Sequence, residues 1–268
     1  MPELPEVETV ARQLEPHLVG RSVRRLTIHD ALLAPTRPPV VAGRTIESVR
    51  RSGKQVLIGF SGRPRDSEPL WLAVHLRMTG RLLWHDGSPE RAHLRATFRL
   101  DRGTLAFNDT RRFGTFKWFR REEEAEPAAT DPLDRRFDAK ALGKLIGKSD
   151  QSLKAWLLRQ DRLVGIGNIY ASEILHAAEL SPTRSTRTLE EPEIRALHKQ
   201  TRRILRRAIK ACGTTFSDFQ DAHGLTGSYQ QYLAVYEREG EPCRRCAGAI
   251  RKIVQQQRST YFCPDCQR

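Results

Sequence analysis

No run of about 18 apolar residues occurs in the 268-residue chain, so a membrane-spanning helix is not expected. A secretory leader needs a basic start and an apolar stretch, and the opening Met1-Pro2-Glu3-Leu4-Pro5-Glu6 supplies neither. A cytoplasmic location with no membrane partner is therefore expected. Acidic residues are the minority, 32 Asp+Glu against 46 Lys+Arg, which leaves a formal charge of +14. Such an excess attracts polyanions, because neutralising phosphates releases condensed counterions. Nucleic acid is the first candidate partner, although a ribosomal or membrane-surface role would suit the sign alone. Repeats and low-complexity tracts are lacking, and cysteine is almost confined to the last 26 residues.

The length allows two or three modest domains. A first helix reaches Leu18, with Pro5 suited to its first turn and Val7, Val10, Ala11, Leu14 and Leu18 on one face. From Arg21 to about Phe119 the pattern is of strands: Val23–Ile28, Thr45–Arg51, Gln55–Phe60, Leu70–His75, Leu94–Leu100, Thr104–Asn108 and Thr115–Phe119. Ser52-Gly53 and Asp101-Arg102-Gly103 read as hairpin turns, and many short strands suggest a β-sandwich or barrel. Pro35 to Gly43 and Ser61 to Pro69 read as loops, and the acidic, proline-flanked stretch from Arg121 to Pro132 reads as a linker. Helical spacing follows over Ser152–Arg159, Asn168–Leu180 and Leu189–Cys212. Thr188 and Glu191 fit a capping box, followed by the face Ile194, Leu197, Ile204, Leu205 and Ala208. The charge run Arg202, Arg203, Arg206, Arg207, Lys210 on that helix reads as a solvated face.

The strongest local pattern is Cys243-x-x-Cys246, sixteen residues, then Cys263-x-x-Cys266. Each pair can place two thiolates on one metal, and the gap accommodates a β-hairpin. Four soft thiolates suit one structural Zn²⁺, whereas two disulfides are disfavoured in a reducing compartment. So small a module can scarcely bury a core, so metal binding would supply its folding free energy. Cys212 is left over, as a buried thiol. Ile250–Val254 and Ser259–Cys263 form the hairpin strands and Gln255-Gln256-Gln257-Arg258 its tip. An arginine on such a tip can grip a phosphate bidentately, or simply be solvated.

Removal of Met1 before Pro2 would expose a secondary amine. An α-amine titrates near 7.7–8.0 against about 10.4 for lysine, so far more of it is neutral and nucleophilic at pH 7. Attack on a sugar C1′ would give an iminium, an electron sink from which the 3′ phosphate can be eliminated. Glu3 and Glu6 can exchange protons or steady that charge, and equally can serve only to stabilise a helix N-terminus.

Six segments, spread from the first residue to the last, resemble the formamidopyrimidine-DNA glycosylase family. They are Pro2-Glu3-Leu4-Pro5-Glu6-Val7-Glu8-Thr9, Arg51-Ser52-Gly53-Lys54, His75-Leu76-Arg77-Met78-Thr79-Gly80, Asp109-Thr110-Arg111-Arg112-Phe113-Gly114, Gly165-Ile166-Gly167-Asn168-Ile169-Tyr170-Ala171-Ser172-Glu173, and the cysteine segment with Gln257-Arg258. The resemblance implies an α+β chain: a catalytic β-sandwich domain with flanking helices over 1–121, a linker over 122–132, a helix–two-turn–helix DNA-binding domain over 133–236 and a zinc finger over 237–268. It implies excision of oxidised purines, 8-oxoguanine and formamidopyrimidines, from damaged double-stranded DNA held between two lobes, followed by β,δ-elimination of the strand. A monomer associated with the nucleoid and free of any nucleotide cofactor is expected.

The same resemblance implies residue roles. Pro2 is the nucleophile, Glu3 the acid that helps open the sugar, Glu6 a supporting member of the catalytic N-terminus, and Lys54 the proton donor for β-elimination. Arg258 grips the phosphate beside the lesion and assists δ-elimination. Gly165-x-Gly167-Asn168 offers close backbone approach and a helix start to a DNA phosphate, and Lys154 and Arg91 join the DNA contacts. An everted base leaves a gap, and Met78, Arg111 and Phe113 match the residues inserted into it. Core packing is the other reading of Met78 and Phe113, and a solvated turn that of Lys54. Asp218–Ser228 resembles the flexible loop over the everted purine. The chain departs from the family pattern at Thr110, Arg77, Arg91 and Ser149-Asp150, which bears on local affinity rather than on chemistry. Three further readings stand beside this one: a sister glycosylase for oxidised pyrimidines, whose N-terminus reads Pro-Glu-Gly-Pro where this chain has Leu4; a zinc-ribbon DNA-binding sensor without catalysis; and, more distantly, a nucleotide-binding enzyme.

Overall fold

A computed structural model describes every residue except 34–37, 64–65, 148 and 216–218. The loops read over Pro35–Gly43 and Ser61–Pro69 therefore lie partly outside the described residues, as does Asp218. The chain forms two units, one of Met1–Pro127 with Ile209–Gln230, the other of Ala128–Ala208 with Gln231–Arg268.

The first unit begins with α1 (Leu4–Leu18), which ends at the expected Leu18 and carries Pro5 in its first turn. Its apolar stripe Leu4, Val7, Val10, Ala11, Leu14, Leu18 is buried almost completely; each large member contributes about 2 kcal/mol of transfer free energy. Among the described residues eight strands follow: β1 (Val23–Ile28), β2 (Ile46–Ser52), β3 (Gln55–Phe60), β4 (Leu70–His75), β5 (Gly80–His85), β6 (Leu94–Leu100), β7 (Thr104–Asp109) and β8 (Thr115–Phe119). They form two antiparallel four-stranded sheets, ordered β1-β6-β7-β5 and β2-β3-β4-β8. Both sheets and α1 share one core, with Val56, Ile58, Phe60, Leu72 and Val74 from one sheet and Ala96, Phe98, Leu105 and Phe107 from the other. The sandwich expectation holds at that level. Strand β5 went unread in the sequence because it is a sheet edge with only Gly80 and Leu82 buried, which leaves Leu83-Trp84 to break the alternation. The stretch read as a linker carries a short helix, α2 (Glu122–Ala125), whose Ala125 packs with Leu57 and Ala73.

The second unit holds α3 (Ala139–Ile146), α4 (Leu153–Leu157), α5 (Asn168–Ala177) and most of α6 (Glu191–Lys210). Helix α3 carries its N-cap in Asp138, whose carboxylate accepts from the Ala141 N–H. The cap bond of α6 lies two residues beyond the capping box read at Thr188: the Glu190 N–H donates to Glu193 Oε2 at 2.9 Å. Thr188 instead donates to the Ser185 carbonyl. Pro192 permits this later start, since a first-turn proline lacks only an N–H that has no helical partner. The chain ends in a hairpin of β9 (Arg251–Gln255) and β10 (Arg258–Phe262), joined by Gln256 and Gln257, both with positive φ. Among the described residues no helix is long and apolar enough to cross a membrane.

Candidate active site and nucleic-acid interface

The start of α1 is a clasp. Glu3 and Glu6 form a reciprocal capping box, in which the Glu3 carboxylate accepts from the Glu6 N–H and Glu6 Oε2 accepts from the Glu3 N–H at 2.8 Å. Glu6 Oε1 accepts from the Thr214 N–H at 2.7 Å, so one carboxylate ties the chain start to a segment 208 residues away. Glu3 and Glu6 are 3 % and 2 % exposed, and Pro2 is buried while Met1 is still attached. Gly213 permits the closure: at φ +80 a Cβ there would lie 2.8 Å from Glu6 Cγ and Oε1. The helix-cap reading of these glutamates is thus met, and the cap holds both carboxylates at the chain start, next to Pro2.

Lys54 follows Gly53 (φ +59) in the two-residue turn between β2 and β3, with Ser52 paired to Gln55. This hairpin is fastened to α1 by an ion pair of Arg51 Nε with Glu8 Oε2 at 2.7 Å. Lys54 is buried. It helps hold His75, paired to Gln55 across the ladder, neutral: burial first, then Arg77, Lys54 and Lys117, lower His75 to about 4.

Met78 and Phe113, 38 % and 51 % exposed, lie outside the core, which removes the packing reading of both. The Arg111 guanidinium stacks on the Phe113 ring, 4.8 Å from its centroid. Arg91 is exposed. In the segment expected to cover a flipped base, Asp221 organises a compact turn. Its Oδ1 accepts from the N–H groups of His223 and Leu225 and its Oδ2 from Gln13 Nε2, while Phe219 and Ala222 enter the sandwich core. These residues are ordered by contacts to α1 that loop chemistry alone does not announce. Cys212, expected buried, is half-buried.

In the second unit Lys154 and Asn168, expected as DNA contacts, converge on the finger. Lys154 is fully buried and donates through Nζ to the Ser259 carbonyl at 2.9 Å and to Thr260 Oγ1 at 2.6 Å. Asn168 Nδ2 donates to the same carbonyl at 2.9 Å. Both therefore fix the residue next to Arg258, which is exposed at the hairpin turn. Gly165, at φ +92, and Gly167 frame the turn before α5, which Gln160 holds by accepting from the Gly165 N–H and donating to the Ile166 carbonyl. Glu173 closes the Gly165–Glu173 segment, but sequence reading gave it no role. Its buried carboxylate accepts from the N–H groups of Ala234, Val235 and Tyr236 at 2.8–2.9 Å and anchors the approach to the finger. Burial raises this carboxyl, but three donors and no acceptor among those contacts favour the ionised form.

The four finger sulfurs all lie within 4.8 Å of one another, with Cys243–Cys266 at 3.9 Å and Cys246–Cys263 at 3.5 Å. A tetrahedral zinc with bonds of about 2.3 Å needs sulfurs about 3.8 Å apart, so the set fits one structural zinc. Zinc there would join the two cysteine pairs and supply the finger's cohesion. His176 Nε2 lies 3.4 Å from Cys243 Sγ, a hydrogen-bond contact that cysteine spacing cannot reveal.

A helix-borne pair of carboxylates at the chain start, a docked lysine hairpin, a helical module and a four-cysteine finger define a DNA-processing enzyme of the helix–two-turn–helix, zinc-finger class. Three family models match in succession: the formamidopyrimidine-DNA glycosylase N-terminal domain over residues 1–116, the formamidopyrimidine-DNA glycosylase H2TH domain over 128–220, and the zinc finger found in FPG and IleRS over 240–268. The formamidopyrimidine-DNA glycosylases of Laribacter hongkongensis and Chloroflexus aurantiacus are each 40 % identical to the chain over its whole length, covering 100 % and 98 % of those proteins. Among solved structures, a Lactococcus lactis FPG mutant bound to Fapy-dG containing DNA superposes with a TM-score of 0.88 at 33 % identity, with 100 % of both chains covered. The MutM (FPG) protein of Thermus thermophilus superposes at 0.87 and 38 % identity, covering 99 % of this chain and 98 % of that one. The chain belongs to the formamidopyrimidine-DNA glycosylase family, whose members are bifunctional DNA glycosylases and abasic-site lyases.

Proposed function

We propose that this chain excises oxidised purines, 8-oxoguanine and formamidopyrimidines, from damaged double-stranded DNA and then cuts the strand from a Pro2 iminium. The observation that carries the reading is the clasp at the head of α1, which holds Glu3 and Glu6 around Pro2 and is fastened to the Lys54 hairpin through Glu8 and Arg51. After Met1 is removed, the Pro2 nitrogen attacks C1′ as the base leaves with a proton. Glu3 protonates the ring oxygen so that the sugar opens to the iminium. Loss of the C2′ proton then expels the 3′ phosphate, with Lys54 donating a proton, and a second elimination expels the 5′ phosphate with the help of Arg258.

Glu6 acts through position, since both its oxygens hold backbone N–H groups. Met78, Arg111 and Phe113 fill the gap left by the everted nucleotide, and their exposure supports this. Arg258 contacts phosphate directly, whereas Lys154 and Asn168 support it through Ser259. Arg91 contributes a surface cation to the DNA backbone. The enzyme works as a cytoplasmic monomer on nucleoid DNA, without a nucleotide cofactor or a membrane. Borohydride reduction during turnover on an 8-oxoguanine duplex traps a covalent protein–DNA adduct whose linkage maps to Pro2 in a protein lacking Met1. Absence of an adduct on any damaged duplex, or an adduct on another residue, overturns the reading.

A further inference from the structure

Met78 stands on the loop between β4 and β5, and Arg111 and Phe113 on the loop between β7 and β8. One buried carboxylate joins the two loops. Asp109, 1 % exposed, accepts through Oδ1 from Thr79 Oγ1 at 2.5 Å and from the Arg111 N–H at 3.2 Å, and through Oδ2 from the Gly114 N–H at 2.7 Å. Thr79 Oγ1 also accepts from the Arg111 N–H at 3.0 Å, so the neighbour of Met78 bonds directly to the backbone of Arg111. The Asp109 carbonyl is held in turn by Arg95 Nε at 2.8 Å.

Between Arg111 and Phe113 the chain turns through Arg112 at φ +62, and Arg112 clamps Asp30 with two bonds of 2.6 and 2.7 Å. A Cβ at Gly114 would lie 2.4 Å from Phe107 Cζ, so the loop closes tightly on the sandwich. Arg111 and Phe113 are thereby presented outward while Arg112 is tied back.

We infer that Asp109 and Thr79 are positioning residues that couple the two loops, so that Met78, Arg111 and Phe113 enter a duplex as one pre-ordered wedge. The inference rests on the reading of those three as inserted residues. Its physical basis is preorganisation: two independently mobile loops would each be ordered at the moment of insertion, whereas a shared hydrogen-bond network orders them in advance. Thr79→Val keeps the shape and removes both bonds of the hydroxyl.

The test is single-turnover excision from an 8-oxoguanine duplex, with 2-aminopurine fluorescence beside the lesion reporting gap opening. Thr79→Val is expected to slow both by about tenfold to a hundredfold, the effect of losing a charge-assisted hydrogen bond. Cleavage of a single-stranded abasic oligonucleotide, which needs no wedge, changes about twofold at most. Thr79→Ser restores duplex excision. Met78→Ala and Arg111→Ala are non-additive in the parent protein and multiply independently in the Thr79→Val background. If neither single alanine variant slows duplex excision, the wedge reading itself fails. If both slow it while Thr79→Val matches the parent, or if Thr79→Val lowers single-strand cleavage equally, the coupling is overturned.

Discussion

Replacing Glu6 by glutamine tests whether this carboxylate is a clasp or a reacting group. The side chain keeps its shape, but only one oxygen remains to serve two N–H groups. The amide oxygen can accept from Glu3, now at 2.8 Å, or from Thr214, now at 2.7 Å, and the amide nitrogen must face the other donor. The lost charge-assisted bond contributes about 1.5–3 kcal/mol, and the buried N–H left without an acceptor costs about 1–3 kcal/mol more. Loss of a negative charge at a helix N-terminus adds about 0.3–1 kcal/mol. Because the effects overlap, a net loss of about 3–5 kcal/mol is expected, a large part of the stability of an ordinary domain.

In a unit of this size each kcal/mol moves the melting midpoint by about 2–4 °C, so Glu6→Gln should melt about 6–20 °C below the parent. Scanning calorimetry, or urea unfolding followed by tryptophan fluorescence, measures it. Gly213→Ala, which drives a Cβ against Glu6, should reproduce much of the shift. Trapping on preformed abasic DNA, well below the midpoint, should survive in Glu6→Gln far better than in a Pro2 variant. An unshifted midpoint combined with abolished trapping would refute the clasp and make Glu6 a reacting group.

Pro2→Gly should fold normally yet lose most borohydride trapping and strand cleavage; full activity would remove Pro2 from the chemistry. Cys263→Ser, or chelation of the parent protein, should release the zinc, unfold the finger and weaken DNA binding; zinc content unchanged by the substitution would exclude the four-cysteine set. Lys154→Met should shift the products from δ- toward β-elimination by slackening the hairpin beneath Arg258, and an unchanged product ratio would sever that link. His75 stays neutral in the folded protein down to about 4, against 6.5 in the unfolded chain. The unfolded state therefore takes up a proton first as pH falls, and first-unit stability should decline between those values by about 1–2 kcal/mol after allowance for solvent screening. His75→Gln should flatten that slope in urea titrations at graded pH.

Much of the fold was legible because its signals are local. The stripe of α1, the Ser52-Gly53 turn and the alternation in β6 each follow from the pattern of a single element, and β3 is legible as a β-rich run that is buried on both faces. Strand β5 was not legible, because an edge strand buries little and carries no sustained alternation. The start of α6 was misplaced because two overlapping caps compete there, and Pro192 tolerates the later one. Residues 209–230 group with the first unit through contacts such as Thr214 with Glu6 and Asp221 with Gln13. No local pattern marks a contact made across more than 200 residues.

The site divides along the same line. Residues proposed to present a reactive or charged atom, such as Pro2, Lys54, Arg258 and the four cysteines, stand in short motifs because such chemistry depends on residue type. Residues that aim those atoms can stand in the same segments, but their residue type does not announce that part. Asp109, Thr79 and Glu173 lie within the family-like segments and His176 just beyond one, yet each acts through a bond to a group on another element that the sequence does not bring beside it. Lys154 crosses the line: its motif suggested a hand on DNA, and its burial makes it a strut for the finger. Composition would call it a surface cation, yet a lysine can stay charged at zero exposure only where oxygens replace its water, and the Ser259 carbonyl and Thr260 hydroxyl do so. The basic excess of this chain is therefore not all phosphate-facing. The fraction turned inward sets the geometry in which the rest can meet a strand.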